Sequence, residues 1–74
     1  RGKDYKTLLQ EYVQRDGDKH IVYRLLSESG PDHAKTFYMV VEINGVTYEA
    51  GSGKSKKIAE QHAAQLTLEK LMAK

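Results

Sequence analysis

The chain has 74 residues, a formal net charge of +2 and no cysteine. This length allows one small domain but no large core with a deep enclosed active site, so we expect a single domain over residues 1–74. The lack of cysteine excludes a disulfide framework, a cysteine nucleophile and a thiolate metal site. No apolar run approaches the roughly 20 residues that cross a bilayer, and we therefore expect no membrane partner.

The first predicted element is a helix from Asp4 to Arg15. Asp4 is a typical N-cap residue, because its carboxylate can accept hydrogen bonds from the free amides of the first turn. Apolar and aromatic side chains then recur at helical spacing, and Tyr5, Leu9 and Tyr12 form the stripe that would face a core. Gly17 tolerates positive φ and is expected to end this segment.

Three strands are predicted next. The segment Ile21–Glu28 is rich in β-branched and aromatic residues, and turn-forming residues follow it at 29–33. Apolar side chains alternate along Thr36–Ile43, which indicates a strand with one buried face. Asn44-Gly45 favours a type I′ turn, since both residues tolerate positive φ, and Val46–Ala50 is expected to return as the partner strand.

The last predicted elements are a short flexible loop at Gly51–Gly53 and a long helix from about Lys54 to Met72. The helix is rich in alanine and leucine, which favour helical structure, and the small alanines would let it lie close to a sheet. The predicted order is α-β-β-β-α. We therefore expect an α+β fold with a three-stranded antiparallel sheet and both helices packed on one of its faces.

A polar stripe on the first predicted helix is the first candidate site. Its members stand at positions i, i+3, i+4 and i+7 and share one face opposite the apolar stripe; they are Thr7, Gln10, Glu11 and Gln14. A solvated helix face is one interpretation. The other is an RNA contact, because a shallow minor groove offers 2′-hydroxyls and base edges that need hydrogen-bonding groups rather than charge alone.

The turn Gly30-Pro31-Asp32-His33 is the second candidate site. It is either a structural loop with an exposed histidine or a small probe that enters a second minor groove. In the second interpretation His33 supplies a ring donor or acceptor, while Gly30 and Pro31 restrict the backbone of the loop.

A concentration of positive charge near the last helix is the third candidate site. Residues 1–50 hold seven Lys or Arg and eight Asp or Glu, a net charge of −1, whereas residues 51–74 hold five lysines and two glutamates, a net charge of +3. Lys54, Lys56 and Lys57 stand at the predicted start of a helix, where positive charge is unfavourable. Free amides, Ser55 and ammonium groups at one helix start suit phosphates, although a solvated charge run is the alternative.

Other chemistry is poorly supported by the sequence. Gly53-Lys54-Ser55 matches the end of a P-loop, but that motif needs a glycine at position 48, where this chain has Tyr48. The three histidines fall in different predicted elements without metal-ligand spacing, and the glutamates do not cluster. We expect no catalytic residue, no metal ligand and no cofactor in these residues.

With these segments in view, the chain resembles the double-stranded RNA-binding domain (dsRBD) over nearly its whole length. The resemblance depends on three segments: KDYKTLLQE at 3–11, GPDHAKTFYMVV at 30–41 and GSGKSKKIAEQHAA at 51–64. The third is the most specific for the family. The first two look like the version of this domain found at the C-terminus of bacterial ribonuclease III.

The resemblance implies a way of docking on duplex RNA over about 16 base pairs, by shape more than by sequence. The first helix would contact one minor groove through Thr7, Gln10, Glu11 and Gln14. The turn would contact the next minor groove through Pro31 and His33. The helix start would contact the phosphates of the intervening major groove through Lys54, Ser55, Lys56 and Lys57.

In ribonuclease III, a cytoplasmic endonuclease that processes RNA, magnesium-dependent hydrolysis belongs to a separate N-terminal domain that also forms the homodimer. The resemblance therefore implies that this chain binds RNA without cutting it and is a monomer when isolated. Three alternatives stay open: a dsRBD of another RNA-processing or regulatory protein, a protein-interaction module on the same fold, and an autonomous enzyme.

Overall fold

The first helix, α1, covers Tyr5–Val13 in the computed structural model, which describes residues 2–73. Asp4 is its N-cap, as predicted, and accepts a hydrogen bond from the Thr7 amide at 3.2 Å. The α-helix ends two residues before the predicted Arg15, because Gln14–Asp16 tightens into a 3-10 helix, a common form of a last turn. Gly17 then turns the chain away with a φ of 109°.

The two long strands pair with each other and form most of an antiparallel sheet. Strand β1 covers Ile21–Ser29 and strand β2 covers Thr36–Ile43. Ile21 pairs with Ile43 at one end and Ser29 with Thr36 at the other, with a bulge at Leu26. The predicted bounds of β2 are confirmed, and β1 is one residue longer than expected.

The third predicted strand, Val46–Ala50, is shorter than expected because only its first two residues pair with β2, and a separate short strand follows it. Asn44 and Gly45 have φ values of 48° and 85°, which confirms the predicted turn. Strand β3 contains only Val46–Thr47, and strand β4 contains Gly51–Gly53. The prediction of a flexible loop at 51–53 was therefore wrong, because these residues continue the ladder opposite Phe37 to Met39.

Glycine is needed in β4 because helix α2, Lys56–Met72, lies directly against it. A Cβ atom on Gly51 would stand 2.1 Å from the Ala63 nitrogen, and one on Gly53 would stand 2.7 Å from the Ala59 nitrogen. Both neighbours are backbone atoms of the helix, which cannot rotate aside. The glycines that suggested flexibility in the sequence instead permit a close contact.

Both helices cover one face of the sheet, as predicted. α1 contributes Leu9 and Val13 to the core, and β2 contributes alternate residues of its inner face. Three alanines of α2 are fully buried against them; these are Ala59, Ala63 and Ala64. Their small side chains confirm the expected close packing of this helix on the sheet.

No helix among residues 2–73 is both long enough and apolar enough to cross a membrane.

Candidate nucleic-acid interface

The polar face of α1 points away from the core. Thr7, Gln10 and Glu11 are exposed, whereas Gln14 is half-buried at the start of the 3-10 helix. Leu9 lies on the opposite side of α1 and is fully buried. The predicted division of this helix into a polar and an apolar face is thus confirmed, while contact with RNA remains a prediction.

Thr7 is oriented by the N-cap of its own helix. Its hydroxyl donates to Asp4 Oδ2 at 2.8 Å, and Gln61 Nε2 of α2 donates to Asp4 Oδ1 at 3.0 Å. Hydrogen bonds from Gln61, and then from Thr7, hold the pKa of the Asp4 carboxyl below its ordinary value of 3.8. The Thr7 oxygen can still accept a hydrogen bond from a ligand.

Acid should weaken this cap. The pKa of Asp4 is lower in the folded than in the unfolded state, so its charge stabilises the fold at any pH above the unfolded-state pKa. That stabilisation is lost as pH falls through the folded-state pKa. We expect the difference in urea midpoint between wild type and Asp4→Asn to shrink between about pH 5 and pH 2, since asparagine is an uncharged N-cap residue. A difference that does not change with pH would contradict the role given to the Asp4 charge.

The Gln14 side chain forms hydrogen bonds with the chain segment that follows α1. Its Oε1 accepts from the Lys19 amide at 2.8 Å, and its Nε2 donates to the Lys19 carbonyl at 3.2 Å. An amide side chain has two donor protons and two acceptor lone pairs, so each end of Gln14 keeps one position for a ligand. Gln14 is thus part of the scaffold as well as a candidate contact.

The turn between β1 and β2 has a defined shape. Gly30 has a φ of 90°, and a Cβ atom there would stand 2.7 Å from the Ala34 carbonyl oxygen. The Ala34 amide donates to the Pro31 carbonyl at 2.9 Å and closes a 3-10 helix over Asp32–Ala34. Pro31 and His33 are exposed on this turn, so the two predicted contact residues are presented outward.

An ion pair closes the base of the same turn. Lys35 Nζ lies 2.9 Å from Glu28 Oε1 across the two strands. The Lys35 hydrogen bond and charge hold the pKa of the Glu28 carboxyl below its usual range, and the charge of Lys56 adds a smaller effect in the same direction. His33 and Lys35 also border one cleft together with Lys54, which precedes α2.

The lysine cluster surrounds the start of α2. Ser55 is the N-cap, with its Oγ accepting from the Ile58 amide at 3.1 Å, so the helix begins at Lys56 and not at the predicted Lys54. Lys56 and Lys57 occupy the first turn, while Lys54 stands before the cap. All three ammonium-bearing side chains are exposed, and no salt bridge within residues 2–73 engages them.

Contacts between distant segments hold the three clusters on one body. His33 and Lys54 border the same cleft, so the turn and the lysine cluster are neighbours on the surface. The Tyr5 amide donates to Gln61 Oε1 at 2.7 Å, and Lys6 pairs with Glu60 at 2.6 Å, which joins α1 to α2. Sequence reasoning missed the links between α1 and α2, because their partners are more than 50 positions apart and no local pattern marks them.

The histidines are dispersed in the structure. His62 Nδ1 accepts a hydrogen bond from the Ser52 amide at 2.9 Å and so helps to attach α2 to β4. His20 and His33 are exposed at separate places. Among residues 2–73 no group of three or more histidine, aspartate or glutamate side chains is arranged to hold a metal ion.

Comparison with known proteins identifies the family. The pattern described as "Double-stranded RNA binding motif" matches residues 5–71. Ribonuclease 3 of Streptococcus mutans is 56% identical over 71 residues, which are 96% of this chain and 31% of that protein. Ribonuclease 3 of Streptococcus pyogenes serotype M1 is 52% identical over the same shares of the two chains.

A solved structure supports the same assignment. The solution structure of both dsRBDs of DRB4 with their linker has a TM-score of 0.69 and 36% sequence identity, over 95% of this chain and 45% of that one. This chain spans about a third of the length of the ribonuclease 3 relatives named above. The resemblance inferred from the three sequence segments is confirmed, and the chain belongs to the double-stranded RNA binding motif family.

Proposed function

We propose that the chain binds double-stranded RNA by shape, through two successive minor grooves and the phosphates between them. The observation that supports this most strongly is that one folded domain presents three chemically different clusters at its surface. A duplex presents its grooves and phosphates at fixed intervals, so a binder that reads shape needs contacts with fixed mutual positions.

Each cluster suits the part of the duplex that we assign to it. Thr7, Gln10, Glu11 and Gln14 offer donors and acceptors for 2′-hydroxyls and base edges in one minor groove. Pro31 and His33 protrude on a constrained turn that is small enough to enter the next. Lys54, Lys56 and Lys57 supply ammonium groups, and Ser55 a hydroxyl, for the intervening phosphates.

We infer further that the parent protein is a ribonuclease III and that this chain is its non-catalytic RNA-binding part. The names of the relatives and the 31% of their length that the chain covers support this inference. Nuclease chemistry, with its magnesium, would then belong to another domain that also forms a homodimer in the cytoplasm. A tethered binding domain would raise the local concentration of duplex at that catalytic domain.

Binding titrations of the chain with a 20-base-pair RNA duplex test the proposed function. Parallel titrations use the same sequence as a DNA duplex and as single-stranded RNA. We expect a strong preference for duplex RNA, and equal affinity with magnesium or with EDTA at matched ionic strength. Equal binding to all three nucleic acids would reduce the interface to a generic basic patch. Absence of binding, with a concentration-dependent dimer in sedimentation, would favour a protein-interaction module instead.

The minor-groove contacts predict modest losses of affinity. Gln10→Ala and His33→Ala should each cost about 1 kcal/mol, the typical worth of one hydrogen bond, or about a fivefold rise in Kd. Gln65→Ala is the matched control, because Gln65 lies in the middle of α2 and bonds only with Glu69 among the described side chains. If Gln10→Ala or His33→Ala binds duplex RNA as tightly as wild type, that residue does not make the proposed minor-groove contact.

A further inference from the structure

A groove beside α1 continues the candidate interface toward the start of β1. It has a volume of about 310 Å³ and a mainly polar lining. Its lining includes Gln10 and Gln14 from the polar face of α1, together with Lys19 and His20 from the segment before β1. This surface groove is therefore lined by two proposed RNA contacts, Gln10 and Gln14, and by two residues without an assigned role, Lys19 and His20.

The Lys19–His20 segment is held from both sides. Gln14 binds the amide and the carbonyl of Lys19. The His20 amide donates to Asn44 Oδ1 at 2.9 Å, and the Asn44 amide donates to the His20 carbonyl at 2.9 Å. Four hydrogen bonds thus fix the backbone that carries the Lys19 side chain, which lowers the entropy cost of using that side chain in binding.

Of the two lysines that border the groove, Lys19 is the one without a salt-bridge partner among the described residues. Lys6 also borders the groove, but its ammonium is paired with Glu60 at 2.6 Å and lies 4.5 Å from the centre of the Tyr23 ring. No salt bridge in the described part of the chain includes Lys19, and its sequence neighbours Asp16 and Asp18 stand outside salt-bridge distance.

We propose that Lys19 is a further phosphate contact, which binds the RNA backbone at the rim of the minor groove that α1 occupies. This inference rests on the proposed function. A minor groove is bordered by the phosphates of both strands, so a duplex held by Gln10 and Gln14 would bring backbone phosphate to the rim of the groove that Lys19 also borders. The contact would increase affinity for duplex RNA without distinguishing one base sequence from another.

The test compares Lys19→Ala, Lys19→Arg and the control Lys70→Ala in salt titrations of duplex RNA binding. Lys70 is exposed near the C-terminal end of α2, away from the groove. Gln14 holds Lys19 through backbone atoms, so the substitutions leave the scaffold bonds in place. We expect Lys19→Ala to bind more weakly, with a log–log salt slope shallower by roughly 0.9, using the coefficient for duplex DNA; Lys19→Arg should match wild type.

Two results would overturn the inference while wild type still binds duplex RNA. One is a Lys19→Ala variant with the affinity and slope of Lys70→Ala. The other is equal weakening in Lys19→Ala and Lys19→Arg with no change of slope, which would indicate a packing role. Failure of wild type to prefer duplex RNA is a different result, because it overturns the proposed function itself.

Discussion

Replacing Lys54, Lys56 and Lys57 together with alanine is expected to remove most of the salt dependence of duplex RNA binding. Each lysine that contacts a phosphate releases condensed counterions, so three contacts contribute roughly −3 to the slope of log affinity against log salt concentration, using the coefficient for duplex DNA. The triple variant should lose that part of the slope. It should also bind every duplex sequence more weakly to a similar extent, because phosphates carry no sequence information.

Folding should survive this substitution, which makes the binding result easy to interpret. Ser55, the N-cap of α2, is unchanged in the variant. Removing positive charge from the first turn relieves repulsion with the helix dipole, and alanine favours helical structure. We therefore expect a urea midpoint equal to or above that of wild type. Normal affinity and an unchanged slope in the triple variant would show that the lysines do not contact phosphate.

Gly51→Ala is expected to lower stability more than alanine at any other glycine of the chain. Its Cβ would lie 2.1 Å from the Ala63 nitrogen and 2.6 Å from the His62 carbonyl carbon. Both atoms belong to the backbone of α2, so relief requires the whole helix to move from the sheet. Overpacking typically costs about 1–3 kcal/mol, and we expect the upper end of that range here, which is a large share of the stability of a small domain.

Urea unfolding checks this prediction, with Gly2→Ala as the matched control. A Cβ on Gly2 meets nothing within 4 Å, so the control makes the same chemical change without the clash. We expect a much lower midpoint for Gly51→Ala and a midpoint near wild type for Gly2→Ala. Equal midpoints for the two variants would mean that the close contact between β4 and α2 is not required.

Much of the architecture could be predicted from short stretches of sequence. Alternation along Thr36–Ile43 identified β2 with its bounds, and Asn44-Gly45 identified the turn with its positive φ values. These features depend on local steric preferences, which neighbouring residues carry by themselves. The members of the three candidate clusters could be predicted for the same reason. Each cluster comes from one short stretch of sequence, either contiguous or at helical spacing: Thr7 to Gln14, the 30–33 turn and the lysine run.

Only the tertiary structure decided how glycines 51 and 53 are used and how the clusters are joined. Their composition is typical of a flexible loop, but their conformation depends on α2, whose Ala59 and Ala63 backbone leaves no room for a side chain. The hydrogen bonds that link Gln61 with Tyr5 and Asp4 likewise join segments that the fold brings together. Sequence by itself determined which groups are available and on which elements they lie. Their mutual positions required the packed fold, because hydrogen bonds and close contacts between separate segments leave no periodic trace along the chain.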